Sequence, residues 1–325
     1  MGLLARNRLD LGPYPFRPAE SGIRHPIMST SPGKKNQVAT GLKRRGTLLA
    51  AALRPPGRAQ GPEGASDAPP GEDEAGAIVP SKVPRIVESP VFVLCSVRSG
   101  STLLRVLLNS HSKIRAPHEL HLRHLKVKPG REFTYDIMGE LGLDVRELQY
   151  MLWDNVLSYE LQRSGKTQIV EKTPSNALIW RRLAAAWPEA RYLFLLRHPA
   201  SIVESVLARR KGSVPETVVP EILRYAEHIE EARNALSGLT VRYEELTAEP
   251  ERVTTEICSY LGVEWEPGML DYGRLSHGPY RAAFGDWGAK LKSGEIQPAR
   301  PLPPADDVPP ELREIARAWD YVGAR

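Results

Sequence analysis

Two runs of apolar residues carry the clearest structural signal in the chain. Val91–Ser96 (VFVLCS) and Arg191–Leu196 (RYLFLL) show no alternation of apolar and polar positions. That is the pattern of strands covered on both faces, as in a parallel sheet. Thr102–Asn109 (TLLRVLLN) follows the first run and predicts a helix. Helical periodicity also runs through residues 133–163, with Leu141, Leu148, Met151, Leu152 and Val156 on its apolar positions. Further expected elements are a strand at Gln168–Glu171, a helix at Ala177–Trp187 and a helix opening at Pro199. Proline suits a first helical turn, where its missing N–H has no partner to lose. A helix at Pro220–Leu236, a strand at Thr240–Tyr243 and a helix at Pro250–Leu261 complete the pattern. Strands alternating with helices predict an α/β fold built on a doubly wound parallel sheet.

Upstream of this pattern the chain changes character. Residues 1–80 hold 11 Pro and 11 Gly, with Tyr14 and Phe16 the only aromatics. Such a segment buries too little apolar area to offset its ordering entropy. It is expected to be a disordered extension over 1–85, leaving 86–325 as one catalytic domain. The charge follows the same division. Residues 1–60 hold 11 Lys/Arg against 2 Asp/Glu, and the remainder 33 against 37. The net charge of +5 thus belongs to the extension rather than to the folded body. A body that covered a nucleic-acid backbone would be the basic part, so no nucleic-acid partner is expected.

Cys95 and Cys258 sit in apolar settings and are expected to be buried small hydrophobes. They form no disulfide framework and no Cys/His spacing suggests zinc, so no metal is expected. No apolar run reaches the ~18–20 residues needed to span a bilayer. Thr47–Leu53 imitates a signal-peptide core but is short and starts late. A cytoplasmic location is the expectation that fits this cysteine usage.

The junction Ser96-Val97-Arg98-Ser99-Gly100-Ser101-Thr102 joins the first buried strand to its helix. Physically it is an anion site. Gly100 lets backbone approach closely, and unpaired N–H groups at a helix start point toward a ligand. Ser99, Ser101 and Thr102 add hydroxyls, and Arg98 adds a charged fork. The bland alternative is a Ser/Gly-rich turn with a capping serine, which would have no need of Arg98. The loop lacks the first glycine and the lysine of the ATP-binding G-x-x-x-x-G-K-[ST] pattern.

Pro90–His111 (PVFVLCSVRSGSTLLRVLLNSH) resembles the phosphosulfate loop of sulfotransferases that use 3′-phosphoadenosine-5′-phosphosulfate (PAPS). Arg191–Ser205 (RYLFLLRHPASIVES) resembles that family's second hallmark, a strand delivering an arginine with a serine eight residues on. Val241–Val263 and Phe284–Leu291 (FGDWGAKL) are similar to two later family segments. The RSGS loop, with the PHELHL and EKTP segments, is most similar to bacterial members and to sulfotransferase domains of polyketide assembly lines. The resemblance covers about Pro90 to Trp287. It departs from the family at Val97, where many relatives carry proline, and at Arg98, where cytosolic members carry lysine.

The resemblance implies a P-loop-like three-layer α/β/α fold around a central parallel sheet. It implies PAPS as sulfuryl donor, with Arg98, Ser99, Gly100, Ser101 and Thr102 around one phosphate end. Arg197 and Ser205 are then implied to grip the 3′-phosphate, with Arg281 approaching it. Sulfuryl transfer needs a base for the acceptor hydroxyl and cations for charge on the leaving phosphate. The resemblance puts Glu119 forward as base and Lys172 near the bridging oxygen. His121 stays open as the second candidate base. The plain alternatives are a Glu119 that merely favours a helix dipole and a solvated Lys172 at a strand end. Thr173 and Ser175 are expected to add hydrogen bonds or cap the next helix. His198 is expected to pack or cap, Arg209-Arg210-Lys211 to form a solvated helix end or to contact the donor's 3′-phosphate, and Trp153, Trp180 and Trp187 to be core. The acceptor is expected to be a hydroxyl on a small molecule, an acyl or lipid chain, or a carbohydrate, with secondary metabolism as the setting. The competing classes are a P-loop kinase or nucleotide hydrolase and a catalytically inactive nucleotide-binding relative.

Overall fold

Strands β1 (Val91–Cys95) and β4 (Arg191–Leu196) form the middle of the sheet because neither has a polar face to turn outward. All five residues of β1 are buried, as are Tyr192–Leu196 of β4. The computed structural model describes residues 77–275, 277 and 293–322. The Pro/Gly-rich extension therefore lies outside the described residues as far as position 76, and so do Arg281, Trp287 and the FGDWGAKL stretch.

The sheet contains β2 (Ile114–Arg115), β3 (Gln168–Glu171) and β5 (Gly238–Arg242) besides the central pair, in the order β2-β3-β1-β4-β5. Every pairing is parallel. Alternation along the strands divides the core into two layers. Phe92, Leu94, Tyr192, Phe194 and Leu196 face one side. They pack there with α3 (Val145–Ser164), α4 (Trp180–Ala186) and α6 (Pro215–Ala235). Val91, Val93, Cys95, Leu193 and Leu195 face the other, against α1 (Ser101–Asn109) and α8 (Pro250–Leu261). The result is the expected three-layer α/β/α architecture. Trp153, Trp180 and Trp187 are core residues, and both cysteines are buried and unpaired.

Several element bounds differ from expectation. The helical pattern of residues 133–163 is two helices, α2 (Glu132–Glu140) and α3, parted at Gly142, whose φ is 72°. Asp144 caps α3 by accepting from Glu147 N at 2.7 Å. The helix expected at Ala177–Trp187 opens as a 3-10 stretch, Pro174–Ile179, and becomes α-helical at Trp180. α6 begins at Pro215 and carries Pro220 inside its first turns rather than as its start. The last strand is shifted earlier, because Tyr243 opens a further helix, α7 (Tyr243–Ala248). The 3-10 turn at Leu122–His124, α5 (Pro199–Leu207) and α9 (Arg313–Ala318) complete what positions the site.

The segment before β1 is pinned to α3 by polar groups. Asp154, almost fully buried, accepts from Ile86 N at 2.6 Å and Val87 N at 3.1 Å. Arg85 bridges Glu147 at 3.0 Å and the Ala186 carbonyl at 2.9 Å. Asp154→Ala strands the Val87 N–H, at about 1–3 kcal/mol for a buried donor without a partner, and takes from the more exposed Ile86 N–H its protein acceptor. We expect a fall in Tm of several degrees in thermal unfolding. A Tm unchanged within a degree would mean that this strap carries no stability.

Candidate active site

Open parallel sheets gather their loops at the carboxyl ends of the strands, and adjacent loops that leave on opposite faces open a crevice there. β1 and β3 do this, since α1 packs in one layer and the helix after β3 in the other. The first site element is the loop after Cys95. Gly100 caps α1 with φ 88°, and no side chain caps the helix. α1 has no acidic residue in its first turn, which leaves the positive end of its dipole open to a ligand. A side chain at Gly100 would strain the backbone and overlap the Tyr243 ring, which packs against this glycine. Ser99 and Ser101 are buried beside the Cys95 thiol, which burial pushes up to about 11. The Oγ atoms of Ser96 and Ser99 are buried without a conventional hydrogen-bond partner. Thr102 follows, half-buried on the first turn of α1.

The second element is a knot of cations. Arg197, directly after β4, donates from Nη1 to the Arg98 carbonyl at 2.7 Å and lies 4.6 Å from the Tyr243 ring centre. Its Nε is buried and has no partner. Arg98 has φ 60° and donates from Nε to Ser205 Oγ at 3.3 Å. Burial, with the charges of Arg209 and Arg197 close by, lowers the Arg98 pKa to about 10. It remains cationic at neutral pH. Burial likewise holds the Arg197 pKa below the usual guanidinium range. Like charges and loss of water both disfavour the charged form, so an anion seated among these cations would be favoured. The resemblance pairs Arg197 with Ser205; the structure adds Arg98, which donates to Ser205.

The third element lies at the end of β3. The Lys172 side chain has 0% exposure and its Nζ donates to Glu119, itself 9% exposed. Both charges lie within electrostatic reach of Cys95, the last residue of β1. The pair therefore sits beside the phosphate loop. His121 Nε2 is 3.6 Å from the other Glu119 oxygen and the side chain is 43% exposed. It stands on the solvent side of the carboxylate. Glu119 lies in an irregular segment ahead of Leu122–His124, so the helix-dipole alternative has no helix to act on.

Two contributors, Tyr243 and Glu171, lie outside the groups the sequence singles out, and Arg209 joins them from the expected helix end. Tyr243 walls the loop and faces Arg197, and the exposed Arg209 adds its field to Arg98. Glu171, fully buried, holds the backbone beside Glu119. Thr173 precedes a 3-10 turn without a side-chain capping bond; its hydroxyl instead donates to Glu171 at 2.6 Å and accepts from His121 N at 3.2 Å. His198 is buried and packs edge-on to Tyr321 at 5.2 Å, as expected. Arg210 pairs with Glu221 at 2.6 Å. Only the alternation of charge and hydroxyl in Glu171-Lys172-Thr173 hints at the groups that gather at the end of β3.

Among the described residues no group of His, Cys, Asp or Glu is arranged to hold a metal, and no helix is long and apolar enough to cross a membrane.

Comparisons with known proteins agree with this geometry. Protein-tyrosine sulfotransferase 2 of Gallus gallus is 23% identical over 208 residues, covering 58% of this chain and 55% of that protein. Nodulation protein NoeE of Sinorhizobium fredii is 29% identical over 133 residues, covering 36% of this chain and 32% of that protein. The chain spans about half or less of the length of these curated relatives. Among solved structures, the sulfotransferase domain of the Synechococcus olefin synthase superposes with TM-score 0.54 at 23% identity, covering 78% of this chain and 99% of that domain. The sulfotransferase domain from the curacin biosynthetic pathway superposes with TM-score 0.51 at 25% identity, covering 72% and 98%. The model of the sulfotransferase family matches residues 90–267, which hold the phosphate loop, the Glu119–Lys172 pair and the Arg197 cluster. The chain belongs to the sulfotransferase family.

Proposed function

We propose that the protein transfers a sulfuryl group from PAPS to a hydroxyl acceptor by in-line displacement. One observation carries this reading above the others. Arg197 is hydrogen-bonded to the backbone of the phosphate loop, which supports a reading in which one ligand with phosphates at both ends bridges the two elements. The buried oxygens of Ser96 and Ser99 and the Nε of Arg197, all without partners, fit oxyanions of such a ligand. Gly100, Ser101 and Thr102 supply the amide end, and Arg98, Arg197 and Ser205 the 3′-phosphate end. Arg281 belongs to the same proposal and lies outside the described residues.

The chemistry falls to the pair at β3. Glu119 takes the proton of the acceptor hydroxyl as its oxygen forms the new bond to sulfur. The sulfur–oxygen bond to the donor phosphate breaks, and Lys172 neutralises the charge left on that oxygen. His121, on the solvent side, guides the acceptor or relays the proton outward. The acceptor is a small-molecule, acyl-chain, lipid or carbohydrate hydroxyl, in keeping with the assembly-line neighbours and with a setting in secondary metabolism. No metal enters this scheme, and the cytoplasm is its proposed location.

The direct test is incubation with sulfur-labelled PAPS and a panel of alcohols, phenols (including a tyrosyl peptide), sugars and hydroxyacyl thioesters. Label is expected in at least one product. A thermal shift separates the kinase reading: stabilisation by ATP/Mg but not by adenosine 3′,5′-bisphosphate would sink sulfuryl transfer.

Arg197→Ala removes a charge-assisted contact worth about 1.5–3 kcal/mol. The Kd for adenosine 3′,5′-bisphosphate, read by calorimetry, should rise ~10- to 100-fold, while kcat at saturating donor stays within several-fold. The reverse split would place Arg197 at the reacting sulfur instead.

A further inference from the structure

We propose that Glu171 is a positioning residue, whose carboxylate clamps the turn that carries Glu119 and so aims the proposed base. The inference rests on the sulfuryl-transfer reading and assigns to that site a residue outside the anion-binding and proton-transfer groups. Glu171 is the last residue of β3 and is fully buried. Three groups donate to it: Leu120 N at 3.1 Å, Thr173 Oγ at 2.6 Å, and Asn176 Nδ2. Burial raises its pKa, and those three hydrogen bonds act the other way. A carboxylate so placed is costly, and an apolar residue would fill the same space at less expense of solvation. What the carboxylate adds is a grip on a turn that would otherwise relax.

That turn needs gripping. His121 sits at φ 50°, ψ 44°, a left-handed conformation that a non-glycine residue adopts at a cost of about 1–2 kcal/mol. Two hydrogen bonds to the end of β3 and the residues just after it hold it: Leu120 N donates to Glu171 and His121 N to Thr173, with Thr173 itself fixed on Glu171. Both bonded amides directly follow Glu119. Successive side chains of an extended chain leave on opposite sides. Lys172 therefore meets the Glu119 carboxylate while Glu171 meets the backbone behind it. The carboxylate is fixed at its head by one residue and at its root by the next. Release of the root lets the turn relax and the carboxylate shift, and a shift of about 1 Å at a reacting group costs on the order of 10²-fold in rate.

The structure also provides a conservative rescue. Asn176 is buried and its Oδ1 has no partner. In Glu171→Gln, the amide oxygen still accepts from Leu120 and Thr173. The new NH₂ meets Asn176, whose own amide turns over to present that idle oxygen. Glu171→Leu has no acceptor to offer.

The test uses the full chain with three variants, Glu171→Leu, Glu171→Gln and Thr173→Val. Hydrogen exchange at the Leu120 and His121 amides reads the clamp without any acceptor. Turnover of sulfur-labelled PAPS and calorimetric binding of adenosine 3′,5′-bisphosphate read its consequence. In Glu171→Leu, exchange should speed up at least 10-fold and kcat should fall about 100-fold, with the nucleotide Kd within threefold. Glu171→Gln should stay within threefold of the wild type on all three. If Glu171→Leu does not fold, Thr173→Val carries the test, with exchange faster at His121 and kcat lower by about 10-fold. Unchanged exchange in Glu171→Leu overturns the clamp. So does faster exchange with unchanged kcat, and so does a parallel fall in kcat and nucleotide affinity, the mark of a merely structural residue. Failure of the wild type to label any acceptor overturns the sulfuryl-transfer reading instead, and is told apart because the exchange difference among variants persists.

Discussion

Glu119→Gln is expected to lower kcat by about 10³-fold while leaving the Kd for adenosine 3′,5′-bisphosphate within threefold. The magnitude follows from the role. A positioned general base contributes typically 10²–10⁴-fold, and glutamine keeps the shape but cannot take the proton. Donor affinity should survive, because Glu119 contacts Lys172 and none of the groups around Gly100 or Arg197. Stability has a separate prediction. Removing one partner of a buried pair leaves the other charge uncompensated, at up to about 3–5 kcal/mol. Lys172→Met strands a carboxylate in this way and should lower Tm by about 10 °C. The double variant Glu119→Gln/Lys172→Met should recover part of that loss, which is the signature of a coupled pair. Turnover within threefold of wild type in Glu119→Gln would move the base elsewhere, to His121 first.

Alanine in place of Gly100 should produce the largest loss of donor affinity. Two costs combine there. A φ of 88° is strained for any residue with a Cβ, by about 1–2 kcal/mol. The added carbon also overlaps the Tyr243 ring, so the ring or the loop must move. Either movement disturbs Arg197, which lies over that ring and is bonded to the loop carbonyl. The combined effect is about 3 kcal/mol, a Kd for adenosine 3′,5′-bisphosphate roughly 100-fold higher. Tyr243→Ala in the same background removes the overlap but not the backbone strain. Its affinity should therefore remain at least 10-fold below wild type. Wild-type affinity in Gly100→Ala would show that the loop does not approach the donor closely.

Much of this architecture is legible without coordinates because it rests on strong local signals. A buried parallel strand cannot hide its unbroken apolar run, and an arginine directly after such a strand stands at the ligand edge by topology alone. Proline at the first turn fixes the starts of α5 and α8. The misplaced bounds have equally plain causes. Pro220 reads as a helix start, yet it lies early enough in α6 that the earlier Pro215 takes that position. The break before α3 turns on Gly142 in a left-handed conformation, which periodicity does not reveal. The two-residue β2 is too short to show a pattern at all. Within the site, Lys172 beside Glu119 was reached only through resemblance, since 53 residues separate them. Tyr243 gives no signal, and Glu171 gives only the alternation of charge and hydroxyl in Glu171-Lys172-Thr173. Their importance lies in what they touch, and a buried glutamate at a strand end looks in sequence like any exposed one.

The convergence of Arg98, Arg197 and Arg209 has a consequence for handling the protein. Like charges held close and partly dried push the fold apart, and any multivalent anion that settles among them relieves this push. Phosphate or sulfate in a buffer should then act as a weak occupant, raising the melting temperature and making the nucleotide look poorer than it is by simple competition. A chloride buffer at matched ionic strength would report the true affinity, on a protein that melts earlier.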